Sequence, residues 1–197
     1  MARLDVTRWA KQVFKDYRAA DVTPSEEGQG AKSSSPIRAG VRAAARRLKR
    51  PIESTEARNK RLLQTLDDAW NERDWDTFER LHAADTVVYW PAKPPTLGIR
   101  AHRAEALEMF KTFPDNSLDN HPYRVLFASG DWTCSIARLH GTMRDLLTLP
   151  DGRMIPPTGR SFEVDFCAVV HWKNGQIVEE NLFFDVAGML GQLGIEL

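Results

Sequence analysis

The chain has 197 residues, of which 42% are hydrophobic and 27% are charged, and its formal net charge is zero. This composition fits one globular domain with an appendage, and it excludes collagen-like and wholly disordered proteins. The net charge of zero hides an uneven distribution of charge along the chain. Residues 1–53 hold 12 Lys and Arg against 6 Asp and Glu, whereas residues 54–197 hold 15 Lys and Arg against 21 Asp and Glu. The basic N-terminal part could therefore lie on an acidic face of its own domain, of a sister subunit or of another polyanion.

Cysteine content and hydropathy predict the compartment. Cys134 and Cys167 are the two cysteines, and each lies within a separate apolar run, so they do not indicate a disulfide framework. The N-terminus lacks the apolar core of a signal peptide, and no run of about 18 apolar residues occurs. We expect a soluble cytoplasmic protein that does not enter a membrane.

The first 53 residues predict a helical, basic extension. Apolar residues recur at helical spacing over residues 3–18, and residues 21–36 have the polar composition of a flexible linker. A second, basic helix follows and ends at Pro51. A basic helix can bind nucleic acid, but this one has no aromatic residue to stack on a base, which favours a packing or dimer-contact helix.

Residues 54–197 have the pattern of a folded domain that begins with helices. Ser54 or Thr55 can cap a first helix, and Asp74 can cap a short second one. "TVVYWP" predicts a strand that Pro91 stops, and a third helix is predicted near residues 100–112. The first helix carries a broad apolar stripe made of Leu62, Leu63, Leu66, Ala69 and Trp70.

The rest of the domain predicts sheet. "YRVLFASGDWTCSIARLHGTM" reads as a hairpin that turns at residues 129–131, and "SFEVDFCAVVHW" is a strand with alternating apolar residues. A two-residue turn at Asn174-Gly175 leads into the last strand, "IVEENLFF", and then into a short helix. The fold class is therefore α+β, with a curved antiparallel sheet wrapped around helices, and the hairpins exclude a doubly wound parallel sheet.

Several motifs resemble those of one known family. "AWNERDWDTFERLHAADTVVYW", "FPD", "GDWTCSIARLHGT", "PPTGR" and "NGQIVEENLFFDVAGMLGQLG" occur in the order found in SnoaL-like polyketide cyclases and the ester cyclases grouped with them. The resemblance covers about residues 56–195. It implies the nuclear-transport-factor-two-like cone, a pocket between the helices and the concave sheet, and a homodimer. It also implies an aldol ring closure that uses an aspartate as general acid and base, with no metal and no organic cofactor.

Asp185 falls on the position of that aspartate, where the last strand gives way to a helix. Its neighbours Phe183, Phe184 and Val186 are apolar, and apolar surroundings raise the pKa of a carboxyl toward the range useful for proton transfer. Asp is also a favoured helix cap, and the helical run "VAGMLGQL" begins directly after it. The catalytic and capping interpretations are compatible with each other.

Alternation along strands selects further candidates for the pocket wall. Counting back by two from Asp185 places Phe183 and Asn181 on its face, where the Asn181 amide could hold a substrate oxygen. His140 could shuttle a proton, and it shares a strand face with Arg138. Each of these could instead be an ordinary polar or packed residue of the sheet. The same holds for Tyr89 and Trp90, which end the first strand and could line the pocket or fill the core.

The predicted function is binding of a hydrophobic or aromatic small molecule and cofactor-free acid/base chemistry on it, with an intramolecular aldol cyclisation as the specific reaction. Two alternatives remain open. One is a dehydratase, isomerase or hydrolase on the same scaffold. The other is a non-catalytic ligand-binding or dimerisation module.

Overall fold

A computed structural model describes residues 53–149 and 152–196. The two helices and the linker predicted before residue 53 lie outside the described residues.

In the part of the chain that the structure describes, four helices form where the sequence predicts them. They are α1 (Thr55–Glu72), α2 (Trp75–Leu81), α3 (Ile99–Thr112) and α4 (Val186–Leu193). The side chain of Ser54 accepts a hydrogen bond from the Ala57 amide at 3.1 Å, and Asp74 accepts one from the Thr77 amide at 3.0 Å. Both predicted caps are confirmed, because each satisfies an amide that has no partner inside its helix.

Within residues 53–149 and 152–196, nine strands make up two sheets. They are β1 (His82–Tyr89), β2 (Thr96–Leu97), β3 (Ser117–Asp119), β4 (Val125–Ser129), β5 (Trp132–Thr142), β6 (Leu147–Thr148), β7 (Met154–Ile155), β8 (Ser161–Lys173) and β9 (Gln176–Phe184). The main sheet has the order β2-β1-β9-β8-β5-β3, with β4 also paired to β5, and β6 pairs only with β7. Every pairing is antiparallel except that of β1 with β9. The predicted α+β class with a curved sheet is confirmed.

The core lies between the helices and one face of the main sheet. The apolar stripe of α1 supplies Leu63 and Leu66, which are 0% and 4% exposed. The sheet supplies Leu139 from β5, Ala168 from β8 and Leu182 from β9, all buried. The predicted apolar face of β8 is therefore the inner face, and the space left between it and α1 becomes the cavity described below.

The opposite face of the sheet carries exposed apolar side chains. Phe127 and Phe183 are 54% and 55% exposed. Such surface can serve as an interface between subunits, and the homodimer implied by the family resemblance stays a prediction. None of the described helices combines the length and the apolar character needed to span a bilayer.

Candidate functional site

A cavity opens between the helices and the inner face of the sheet. The cavity holds about 540 Å³ of empty space, including its open mouth. The wall is mostly aliphatic and aromatic, with four polar side chains among the apolar ones. The lining residues are Leu63, Leu66, Asp67, Trp70, Phe78, Trp90, His102, Met109, Asn116, Leu118, Leu139, Phe166, Ala168, Glu180 and Leu182. An apolar cavity with a few convergent polar groups is typical of a small-molecule site.

Asp67 is the first of the polar groups. It extends from the apolar face of α1, is 8% exposed, and accepts a hydrogen bond from the Tyr123 hydroxyl to Oδ2 at 2.6 Å. Burial raises the pKa of the Asp67 carboxyl to about 7, against the hydrogen bond from Tyr123, which lowers it. The carboxylates of Glu180 and Asp68 raise it further. A buried carboxyl that titrates near neutrality can both accept and donate a proton.

Glu180 is the second polar group, and it lies in β9 with 5% exposure. Its Oε2 lies 3.3 Å from Nε2 of His102 in α3 and 3.6 Å from Nε2 of His82 at the start of β1. Burial acts to raise the pKa of Glu180, but the contacts with His102 and His82 outweigh it and hold the pKa well below its usual range. Two carboxyls in one cavity are thus pushed toward opposite protonation states, which is a common feature of acid/base sites.

His102 is held from both sides. Its Nε2 faces Glu180, and its Nδ1 lies 3.8 Å from Oε2 of Glu105, one turn further along α3. Burial acts to lower the pKa of His102, but the carboxylates of Glu105 and Glu180 hold it above its usual value. Glu105 itself is held by Lys93, by the Thr96 hydroxyl at 2.6 Å and by the Trp90 indole N–H at 3.1 Å. These contacts hold the His102 imidazole at the cavity wall between two carboxylates.

Comparison with protein families decides the identity of the domain. The model of the SnoaL-like polyketide cyclase family matches residues 60–193. The chain belongs to this family. A search of the curated proteins finds no match.

Solved structures that resemble this SnoaL-like domain share its fold. A candidate SnoaL-like polyketide cyclase from Jannaschia sp. CCS1 is 18% identical, with a TM-score of 0.64 over 75% of this chain and 99% of that one. A candidate polyketide cyclase from Xanthomonas campestris pv. campestris is 20% identical, with a TM-score of 0.62. The match covers 71% of this chain and 99% of that one. A protein from Catenulispora acidiphila DSM 44928, solved in complex with trimethylamine, has a ketosteroid isomerase-like fold. It is 14% identical, with a TM-score of 0.55, and the match covers 68% of this chain and 93% of that one. At these identities the likeness establishes the cone fold alone.

The SnoaL-like domain places Asp185 outside the cavity. Asp185 is exposed, and its side chain caps α4 by accepting a hydrogen bond from the Gly188 amide at 2.8 Å. Asn181 donates to Oε1 of Glu179 at 2.8 Å, and Phe183 is 55% exposed. The prediction that this face of β9 points into the cone is wrong. The capping role predicted for Asp185 is confirmed, and its catalytic role stays a prediction.

A β-bulge explains the reversal. The two-residue turn pairs Trp172 with Ile177, and regular pairing would continue with His171 opposite Val178 and Ala168 opposite Asn181. Instead His171 pairs with Glu179, so one extra residue enters β9. Because side chains alternate with period two, the extra residue exchanges the two faces of the strand, and Glu180 and Leu182 become the inner residues.

The other predicted site residues separate into two groups. Trp90 lines the cavity as predicted. Tyr89 is 41% exposed, and the side chains of Arg138 and His140 are 43% and 39% exposed. Arg138 lies near Glu163 at 3.3 Å, whereas His140 contacts the Ser117 hydroxyl at 3.0 Å and lies 3.4 Å from Asp119. These two residues belong to a polar network on the outer face of the sheet, and the structure does not bring them to the cavity.

Sequence reasoning missed Asp67, His102 and Glu180. Asp67 had a usable signal, because it lies on the same helical face as Leu63, Leu66 and Trp70, where a charged residue is unusual. Glu180 would have been selected by alternation with Leu182 if the bulge had been anticipated. His102 had no such signal, since its partners come from distant parts of the chain.

Proposed function

We propose that the chain binds an aromatic or otherwise apolar small molecule with carbonyl oxygens and closes a ring in it by an intramolecular aldol reaction, with Asp67 moving the proton. The observation that supports this most directly is a carboxyl inside the cavity whose pKa burial raises to about 7. Membership of the SnoaL-like cyclase family supports the choice of reaction.

The cavity wall supports the choice of ligand. Trp70, Phe78, Trp90 and Phe166 supply aromatic rings, and most of the remaining wall is aliphatic. Aromatic faces and edges favour flat ring systems, and burying apolar surface drives their binding. The polar groups lie among these residues, so the reacting carbonyl groups of the ligand would enter beside Asp67 and His102.

The reaction would run in two proton transfers. The Asp67 carboxylate removes a proton from a carbon next to a carbonyl, and the resulting enolate carbon attacks a second carbonyl carbon of the same molecule. One carbon–carbon bond forms, and the new alkoxide takes back the proton from Asp67, so no atom is gained or lost. The His102 imidazole, whose pKa the carboxylates of Glu105 and Glu180 hold above its usual value, would stabilise the oxygen that carries negative charge in these steps.

Neighbouring residues of β8 provide a matched test of this site. Ala168 lines the cavity, whereas Val169 lies next to it on the opposite face of the strand. We expect Ala168→Leu to abolish both ligand binding and ring closure because it fills the cavity, and Val169→Leu to leave both close to wild type. Quenching of tryptophan fluorescence by an aromatic poly-β-carbonyl ester measures binding, and product analysis measures ring closure.

Two controls make this test decisive. Denaturant unfolding of both variants shows whether Ala168→Leu disturbs the fold, since overpacking a core costs about 1–3 kcal/mol. Equal behaviour of two folded variants would contradict the proposed site. Tight binding of the ester by wild type without any ring closure would favour the non-catalytic alternative.

A further inference from the structure

Three buried side chains from separate elements converge beside the cavity. His82, His102 and Glu180 each offer a metal-ligating atom, and these atoms all lie within 4.8 Å of one another. Their side chains are 0%, 3% and 6% exposed. Two imidazoles and one carboxylate buried together are a costly arrangement unless their charges and hydrogen bonds are matched.

The two His–Glu180 separations within this cluster are compatible with a metal centre as well as with ion pairs. A charge-assisted hydrogen bond between nitrogen and a carboxylate oxygen is about 2.7–2.9 Å long, whereas the two His–Glu180 distances are 3.3 and 3.6 Å. Ligand bonds of about 2.0–2.2 Å in tetrahedral geometry place the ligand atoms roughly 3.3–3.5 Å apart. The two N–O distances of 3.3 and 3.6 Å are close to the separation expected between two ligands of one tetrahedral ion.

Hydrogen bonding fixes the tautomer of His82 in the form that a metal requires. Nδ1 of His82 lies 2.7 Å from the backbone carbonyl of Phe78. A carbonyl only accepts, so Nδ1 carries the hydrogen and Nε2 is left to face Glu180. This Nε2 is buried and has no hydrogen-bond partner among the described residues. Nε2 of His82 and Oε2 of Glu180 therefore lie side by side, where both could bind one cation.

The surroundings also match those of known metal ligands. Metal-binding histidines usually direct their second ring nitrogen to a carbonyl or a carboxylate, which sets the ring orientation. His82 directs Nδ1 to the Phe78 carbonyl at 2.7 Å, whereas Nδ1 of His102 lies 3.8 Å from Oε2 of Glu105, beyond hydrogen-bond distance. Because His102 and Glu180 also line the cavity, an ion held by the cluster would lie at its wall.

We propose that His82, His102 and Glu180 form a binding site for one divalent first-row transition-metal ion such as Zn²⁺ or Co²⁺. Two imidazole nitrogens favour these ions over Mg²⁺ and Ca²⁺, which prefer oxygen ligands. The bound ion would place positive charge at the cavity wall. This site goes beyond the proposed function and departs from the expectation that no metal is involved.

Cobalt uptake by the full-length chain tests this site. We expect chelator-treated wild type to bind one equivalent of Co²⁺ with visible absorption bands, and zinc to displace the cobalt. His82→Gln and Glu180→Gln should each weaken binding at least about 100-fold, since even residues that only orient ligands contribute 10- to 100-fold. His140→Gln is the matched control and should bind like wild type, because His140 lies on the outer face of the sheet.

A measurement on wild type keeps the test valid if a variant fails to fold. In the cobalt-loaded protein, proton NMR should show shifted, slowly exchanging ring N–H signals from two histidines. The proposal would be overturned if wild type took up no more cobalt than Glu180→Gln. It would also be overturned if His140→Gln lost as much cobalt binding as His82→Gln. Asp67→Asn separates the two proposals, because it should lose ring closure and keep cobalt binding.

Discussion

Asp67→Asn is expected to lower the rate of ring closure about 10²- to 10⁴-fold, the usual contribution of a positioned acid or base. The amide keeps the shape of the side chain and can still accept the hydrogen bond from Tyr123, but it cannot take a proton. Asp185→Asn should react close to the wild-type rate, because asparagine also caps helices and Asp185 lies outside the cavity. Steady-state kinetics of the two variants side by side make the comparison.

The dependence of this rate on pH separates a proton-transfer role from a structural one. For wild type, kcat/KM should rise with pH through about 7, because the base works in its deprotonated form. This rise should disappear from the residual activity of Asp67→Asn. Loss of activity in Asp185→Asn, with Asp67→Asn unaffected, would return the catalytic assignment to the end of the last strand.

Asp67→Asn should also change how stability depends on pH. The pKa of Asp67 is raised from 3.8 to about 7 in the folded state, so the folded protein binds this proton more tightly than the unfolded one. The stabilisation is fully present below the unfolded pKa and is lost as pH rises through the folded pKa. The loss amounts to up to about 4 kcal/mol between about pH 4 and pH 8.

The variant has no charge to bury, so it should become more stable relative to wild type as pH rises across this window. Urea unfolding of both proteins at both ends of the window, with a chelator present, measures the difference. The groups that face Asp67 are the same in both proteins: Tyr123, Asp68 and Glu180. His102 is also present in both, and its raised pKa likewise makes stability fall as pH rises, so its contribution cancels in the comparison. A constant difference between variant and wild type would contradict the assigned pKa.

Local patterns predicted the fold well because they report local physics. Ser54, Asp74 and the Asn174-Gly175 turn each satisfy a requirement within a few residues, and each appears where it was predicted. Asn174 and Gly175 adopt φ values of 53° and 81°, the positive range that such a turn needs. The short strands β2, β3, β6 and β7 were missed, since two or three residues carry too little pattern to recognise.

The site was harder to predict because it depends on one extra residue and on distant partners. Alternation was counted back from Asp185, which was expected to face the cone, and it therefore selected Asn181. The bulge near the start of β9 makes Glu180 and Leu182 the inner residues instead. His82 and His102 meet Glu180 only after β1 pairs in parallel with β9 and α3 packs beside them. Sequence spacing contains no sign of that meeting.

We expect the proton-handling group to lie inside the cavity and to titrate near neutral pH. Titration of the Asp67 carboxyl by ¹³C NMR, assigned by the signal that Asp67→Asn lacks, tests it most directly. We predict a midpoint near pH 7 in chelator-treated wild type. A midpoint at the ordinary value of 3.8 would show that Asp67 is a solvated carboxylate that is already charged at neutral pH. This result would contradict the assignment of Asp67 as the proton-handling group.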